Sequence, residues 1–162
     1  MDTFPPEKRS DIMRHVRSTN TTPEKRVRSL LHKLGCRFCL HRQDLPGKPD
    51  IVLPKYRTVV FVHGCFWHRH KDCPHATTPS SRQDYWLPKF KRTLERDRNN
   101  QEKLRQLGWN VIIVWECETN DLKRLAIHIE KTIRYKSLID HRRPFQIPMA
   151  AERLSDYDSD KY

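Results

Sequence analysis

Residues 58–73, Thr-Val-Val-Phe-Val-His-Gly-Cys-Phe-Trp-His-Arg-His-Lys-Asp-Cys, constrain this chain more than any other stretch. A run of five, Thr58 and four apolar residues, empties directly into three histidines, two cysteines and two aromatics. That pattern reads as a buried strand delivering its end into a site, so chemistry is expected just past Val62.

The flanking segments supply partners for such a strand. Thr21 or Thr22 opens a helix with Pro23 in its first turn, and Glu24 completes a capping box if Thr21 is the cap. Val27, Leu30, Leu31 and Leu34 then recur at helical spacing, and Gly35 ends the element. Ahead of it, Ser10 can cap a short helix with Ile12, Met13 and Val16 on one side, too short to stand alone. After Gly35 the chain reads as a strand from Arg37 to Arg42, a turn at Leu45-Pro46-Gly47, and a strand from Pro49 to Leu53. A turn at Pro54-Lys55 leads into the strand from Thr58 to Val62.

Beyond the histidine- and cysteine-rich loop, a long helix is predicted from Pro88 to Leu107, stopped by Gly108. Asn110 to Trp115 is a further strand, and Leu122, Leu125, Ala126, Ile129 and Ile133 mark an amphipathic helix. This order predicts an α/β sandwich, a mixed sheet with helices on both faces, whose third and fourth strands run parallel through a right-handed crossover. Ligands of such sheets lie beyond the carboxyl ends of the strands, which again points to His63 and its neighbours. The expected folded unit is residues 1–136, with a loop at 63–82, and residues 137–162 read as a loosely held tail.

Charge narrows the partner. Thirty-two Lys and Arg against 20 Asp and Glu leave +12 and a pI near 9.8, the footprint of a protein that meets a polyanion. Nucleic acid is the first candidate. An anionic membrane is disfavoured because the chain has no apolar run of ~18 residues, no signal-like amino terminus and no basic helix with a strong apolar face. Solubility alone is the bland third reading of the same charge.

Two constellations carry chemistry. Cys65, His70 and Cys73 have zinc-like spacing, and Cys117, ending the next strand, is the natural fourth ligand; His75 could replace His70. Thiolates and an imidazole suit tetrahedral Zn²⁺, and a complete protein shell is structural, pinning a long loop. Cys36 and Cys39 form a C-x2-C that, in a strand, would point to opposite faces, so they read as a partly buried pair. The other constellation is Gly47-Lys48-Pro49-Asp50, which holds a carboxylate beside the strand end where His63 and His68 arrive. Aspartate with backbone carbonyls and water is what Mg²⁺ prefers.

Asp97 falls between Phe90, Leu94, Gln101 and Leu104 on one face of the long helix, and a carboxylate aimed at a sheet must be paired or metal-bound. Its nearest candidate partners are His68 and an arginine such as Arg96 or Arg98. With His68 it would orient an imidazole as a general base for water. Phe66-Trp67 and Tyr85-Trp86 sit on polar segments, where base stacking or wedging competes with ordinary packing. Trp109 and Trp115 read as core.

These residues carry a resemblance. Val62-His63-Gly64-Cys65-Phe66-Trp67-His68, preceded by Gly47-Lys48-Pro49-Asp50 and followed by Tyr85-Trp86-Leu87, Glu95-Arg96-Asp97-Arg98, Leu107-Gly108-Trp109 and Val114-Trp115-Glu116-Cys117, resembles the very-short-patch-repair (Vsr) mismatch endonucleases. The likeness spans Ser10 to Ile133. It implies the restriction-endonuclease-like three-layer sandwich and a bacterial cytoplasmic enzyme, working as a monomer on nucleoid DNA. The implied activity is Mg²⁺-dependent nicking 5′ of the thymine in a T·G mismatch, in repair of deaminated 5-methylcytosine.

The resemblance also assigns roles. Asp50 and the main-chain carbonyl of Val62 would bind Mg²⁺, and His68 would be the general base with Asp97 behind it. Glu24 would orient metal-bound water, and His63 would lie near the scissile phosphate. Cys65, His70, Cys73 and Cys117 would hold a structural zinc. Phe66, Trp67 and Trp86 would enter the duplex from the major groove and Met13 from the other side. The chain departs from relatives in having Val62 where some carry Thr, in lacking a Glu-x-Lys on the third strand, in Arg69 interrupting a histidine run, and in one extra residue between His70 and Cys73. Rival classes are a restriction-type endonuclease on intact duplex and a non-catalytic, zinc-stabilised DNA-binding module.

Overall fold

The computed structural model describes Lys8 and residues 19–139, with side chains through Ile133. The predicted first helix, with Met13, and residues 140–162 lie outside the described residues.

Helix α1 (Thr22–Lys33) starts where its cap demands. Thr21 Oγ1 accepts the Glu24 N–H at 3.4 Å while Glu24 Oε1 accepts the Thr21 N–H at 3.3 Å, so two otherwise orphaned donors are satisfied reciprocally. Gly35, at φ +74°, takes the left-handed turn that ends it. Strands β1 (Cys39–Leu40), β2 (Ile51–Leu53) and β3 (Thr58–His63) form an antiparallel meander. Strand β4 (Asn110–Trp115) lies parallel to β3, from Thr58 opposite Asn110 to His63 opposite Trp115. Helix α2 (Gln83–Gln106) makes the crossover, and a 3₁₀ turn (Glu116–Asn120) leads from β4 into helix α3 (Leu122–Ile139). The sheet order is β1-β2-β3-β4.

Side-chain alternation divides the core between the two faces of the sheet. Ile51, Leu53, Val60, Ile112 and Val114 pack with Val27, Leu30 and Leu31 of α1 and Leu125, Ile129 and Ile133 of α3. Val52, Val59 and Phe61 point the other way, toward Leu104 of α2. The chain is therefore the expected three-layer sandwich, and the strands buried on both faces read as unbroken apolar runs.

Four expectations change. The first two strands are shorter than predicted, because the Leu45–Lys48 turn and the stretch before Asp50 leave the ladder early; the Lys48 N–H closes that turn on the Leu45 carbonyl at 3.1 Å. Helix α2 starts at Gln83, which places Pro88 in its interior rather than its first turn. The proline gives up the hydrogen bond to the Asp84 carbonyl, and the packing of Trp86 and Phe90 on Phe66, with Tyr85 edge-on to Trp86, holds that turn helical anyway. The inward face of α2 is also re-phased: Leu94 is 45% exposed, and the row facing the sheet is Phe90, Thr93, Asp97, Asn100 and Leu104. Finally, α3 continues to Ile139, into the stretch expected to be tail.

Candidate active site and metal centres

A cleft of about 1600 Å³ opens at the carboxyl ends of β3 and β4, walled by α1, the β1–β2 loop and α2. Asp50, Val62, His63, His68 and Asp97 all line it, with Glu24 on one side and Trp67 and Trp86 on the other.

Asp50 immediately precedes β2, and its Oδ2 accepts the Val62 N–H at 2.8 Å. Within a strand a residue's N–H and C=O point to the same edge, so the Val62 carbonyl faces the Asp50 side, beyond the last β2–β3 pair. A carboxylate oxygen and a carbonyl oxygen at one strand edge are hard donors of the kind Mg²⁺ takes, so the residues present fit that ion. Burial pushes the Asp50 carboxyl up to about 6, against the pull of the Val62 N–H and the positive side chains nearby. A bound cation would bring it back to the ionised form. Gly47, at φ +75°, lets this loop lie against α2; a Cβ there would come within 2.9 Å of the Asn100 side chain.

His68 and Asp97 form the second cluster. His68 Nδ1 is 2.5 Å from Asp97 Oδ2, a pairing that requires the proton on Nδ1 and leaves Nε2 as the nitrogen able to accept another. Burial would raise the Asp97 carboxyl, but the hydrogen bond from His68, with the electrostatic pull of the basic side chains around it, outweighs that, and the carboxyl is held below its ordinary value. Arg96 reaches the other oxygen only at 3.5 Å, so of the candidate partners His68 is the close one. His63 stacks on His68 with ring centroids 3.8 Å apart. It is 6% exposed, and burial, with His68 alongside, lowers its pKa to about 4, so it is neutral at physiological pH.

Glu24 sits at the cleft edge with both oxygens engaged. Oε1 accepts from the Thr21 N–H and hydroxyl, and Oε2 accepts from the Asn20 N–H at 2.9 Å and from Arg28 at 2.7 Å. The helix cap thus occupies the carboxylate expected to orient water. Arg28 and His41, which the sequence reading passed over, complete this corner. The only signal available for them was a basic residue one turn after Glu24 and an imidazole beside the end of a predicted strand.

Cys65, His70, Cys73 and Cys117 bring their ligand atoms within 4.8 Å of one another, and His75 is exposed outside the group. His70 Nδ1 lies 3.6 Å from Cys65 Sγ and 3.3 Å from Cys117 Sγ. Tetrahedral bonds of about 2.3 Å to sulfur and about 2.0 Å to nitrogen give edges of roughly 3.5 Å, so this set fits zinc. Burial, with the neighbouring thiols, pushes Cys65 up to about 12 and raises Cys117 as well. Phe66, Trp67 and His68 lie between the first two of these four residues in the chain. Trp115 stacks on His70 at 4.1 Å and meets His63 edge-on at 5.5 Å, linking the thiol cluster to the histidine pair. The sequence C-x2-C behaves as expected, with Cys36 buried and Cys39 exposed.

On the α2 side, Phe66, Trp67, Trp86 and Phe90 form one ring cluster with centroids 5.1–6.0 Å apart. Phe90 is buried, whereas Trp67 and Trp86 are half-buried and face the cleft. Lys89 Nζ lies 5.1–5.5 Å from the rings of Trp67, Tyr85 and Trp86. Trp109, by contrast, packs below the sheet with Arg42 and Arg57 over its ring. Among the described residues no helix is long and apolar enough to cross a membrane.

The family model described as DNA mismatch endonuclease Vsr matches residues 1–75. The type II nicking enzyme V.XorIIP of Xanthomonas oryzae pv. oryzae is 51% identical over 132 residues, spanning 82% of this chain and 96% of that protein. The DNA mismatch endonuclease Vsr of Escherichia coli K12 is 43% identical over 118 residues, 73% of this chain and 75% of that one. Among solved structures, the catalytic domain of the homing endonuclease I-Bth0305I superposes with a TM-score of 0.50 at 20% identity, covering 72% of this chain and 98% of that domain, a likeness of fold.

Proposed function

From a chain that belongs to the Vsr family of DNA mismatch endonucleases, and is therefore an endonuclease acting on DNA, we propose a narrower activity. The enzyme nicks one strand of duplex DNA 5′ of the thymine in a T·G mismatch, with Mg²⁺ held by Asp50 and the Val62 carbonyl and Zn²⁺ held by Cys65, His70, Cys73 and Cys117. The observation that carries this reading is the His68–Asp97 pair facing the same cleft as Asp50, with Trp67 and Trp86 on its wall.

The chain's own residues divide the work. Asp97 holds the His68 Nδ1–H, so His68 Nε2 is free to take the proton of a water attacking phosphorus as the P–O bond to the leaving oxygen breaks. His63, neutral and stacked behind His68, limits where that ring can swing. Bound magnesium would supply positive charge to the phosphate and the leaving oxygen. The zinc ligands would hold the loop that carries His68, a structural task. Trp67 and Trp86 would offer flat faces to unstacked bases, with Phe66 packed against both, and a mismatched pair costs less to unstack than a matched one, which supplies selectivity. The surplus of twelve positive charges favours the phosphate backbone and makes binding strongly salt-dependent.

The test is a gel of strand-labelled duplexes, T·G against T·A, incubated with Mg²⁺. A single nick on the thymine strand of the T·G duplex is expected. Equal cleavage of the T·A duplex would replace this reading with a restriction-type activity, and binding without cleavage would replace it with a DNA-binding module.

A further inference from the structure

Register places His41 opposite Asp50 at the open end of the β1–β2 ladder, its N–H 3.4 Å from the Asp50 carbonyl. Glu24, His41 and Asp50 each offer one ligand atom, and the three atoms lie within 4.8 Å of one another. Two carboxylates and an imidazole at that spacing are a complete starting set for a divalent cation. The gap between two of them is filled. Arg28 Nη2 lies 2.7 Å from Glu24 Oε2 and 3.0 Å from His41 Nε2, two atoms that are themselves 3.9 Å apart. One amino group carries two hydrogens, so each acceptor can receive its own. Nη1 of the same guanidinium donates to Asn20 Oδ1 at 2.7 Å, and the Arg28 side chain is only 14% exposed.

We propose that the Arg28 guanidinium stands in the place of a second divalent cation, bridging Glu24 and His41 and leaving Asp50 as a single-ion seat. The inference rests on the Asp50 seat proposed above and adds a count to it. A guanidinium keeps its charge at every pH the fold survives, so this corner of the cleft carries a fixed positive charge that needs no ion from solution. It also settles the His41 tautomer: Nε2 accepts from a permanent donor, and the ring proton is on Nδ1. An incoming cation would have to displace a like charge and break both bonds. With the guanidinium removed, Glu24 Oε2 keeps only the Asn20 N–H and has a lone pair to offer, and the His41 nitrogen comes free with it beside Asp50. A nitrogen donor tilts such a site toward Mn²⁺ over Mg²⁺ or Ca²⁺.

Counting Mn²⁺ ions bound per full-length chain, by electron paramagnetic resonance after zinc has filled the thiol cluster, tests this without reference to cleavage. Arg28→Ala should bind one ion more than the wild type, and the double variant Arg28→Ala/His41→Ala should lose the added ion. An unchanged count in Arg28→Ala overturns the proposal. A measurement independent of how well Arg28→Ala folds is the wild type against His41→Ala: the same count and an affinity within about twofold are expected, because Arg28 already occupies the His41 nitrogen. Loss of an ion or a tenfold weakening in His41→Ala overturns it. Asp50→Asn should lose the one ion of the wild type. Its survival there removes the seat itself, an outcome distinct from an unchanged count in Arg28→Ala.

Discussion

Replacing Asp50 with Asn should abolish nicking and, in magnesium-free solution, make the protein harder to melt. Burial lifts the Asp50 carboxyl from its ordinary 3.8 to about 6. A buried acid with a raised pKa stabilises the fold in its protonated form. That contribution is complete below about pH 4 and is lost as pH rises through 6. At neutral pH the ionised side chain therefore costs roughly 3 kcal/mol, about two pKa steps at 1.36 kcal/mol each. Asn drops the charge and keeps an oxygen for the Val62 N–H. At about 2–4 °C per kcal/mol for a chain of this size, the ceiling is a rise of roughly 6–12 °C at pH 7.5. The gain should fall by about half at pH 5, where the wild-type carboxyl is mostly protonated. Scanning calorimetry at both pH values, with and without millimolar Mg²⁺, reads all of this, and the ion should raise the wild-type midpoint but not that of the variant. A variant that melts at or below the wild type at pH 7.5 without magnesium, or whose gain is the same at pH 5, would refute the reasoning.

Other outcomes follow from the same geometry. His68→Ala should slow nicking by about 10²–10⁴-fold while leaving duplex affinity within a few-fold, measured by single-turnover cleavage and by anisotropy. His63, whose pKa is lowered to about 4, adds stability that is present above its ordinary 6.5 and is lost as pH falls toward 4, the reverse of Asp50. The two slopes oppose each other in the wild type, so melting of Asp50→Asn should depend on pH between 4 and 6.5 more steeply than melting of the wild type. Cys73→Ser should lower bound zinc below one per chain by elemental analysis and expose Lys71 to trypsin. Trp86→Ala should weaken binding to the mismatched duplex by about 1–3 kcal/mol, more than to the matched one, in parallel titrations.

Much of this architecture could be read from residues whose local preferences agree with their final environment. The Thr21–Glu24 box, the apolar row of α1 and the bounds of β4 are of that kind. Legibility failed where a side chain serves the cleft instead of the core. Thr93, Asp97 and Asn100 face inward on α2 because they line the site, so the apolar period breaks there and points to Leu94, which is exposed, as an inward residue. Pro88 looked like a helix start because the aromatic packing that keeps it inside a helix is tertiary. His41 and Arg28 could not be connected with Asp50 before the register of β1 on β2 was known, since that meeting is a matter of strand pairing rather than spacing. Asp50 and His68, expected to converge, stand in two neighbouring groups that line one cleft, Asp50 with Glu24 and His41 and His68 with His63 and Asp97.

The order of residues 65–70 has one more consequence. His68, the proposed proton acceptor, and Phe66 and Trp67, two of the rings proposed to meet bases, are threaded between the first two thiol-cluster residues, so on that proposal a single clasp would tension both. A molecule whose clasp opened would then lose its discrimination and its blade in the same event. Damage to this protein, by oxidant or by metal starvation, should therefore yield an inert polypeptide and not an indiscriminate cutter loose on a chromosome.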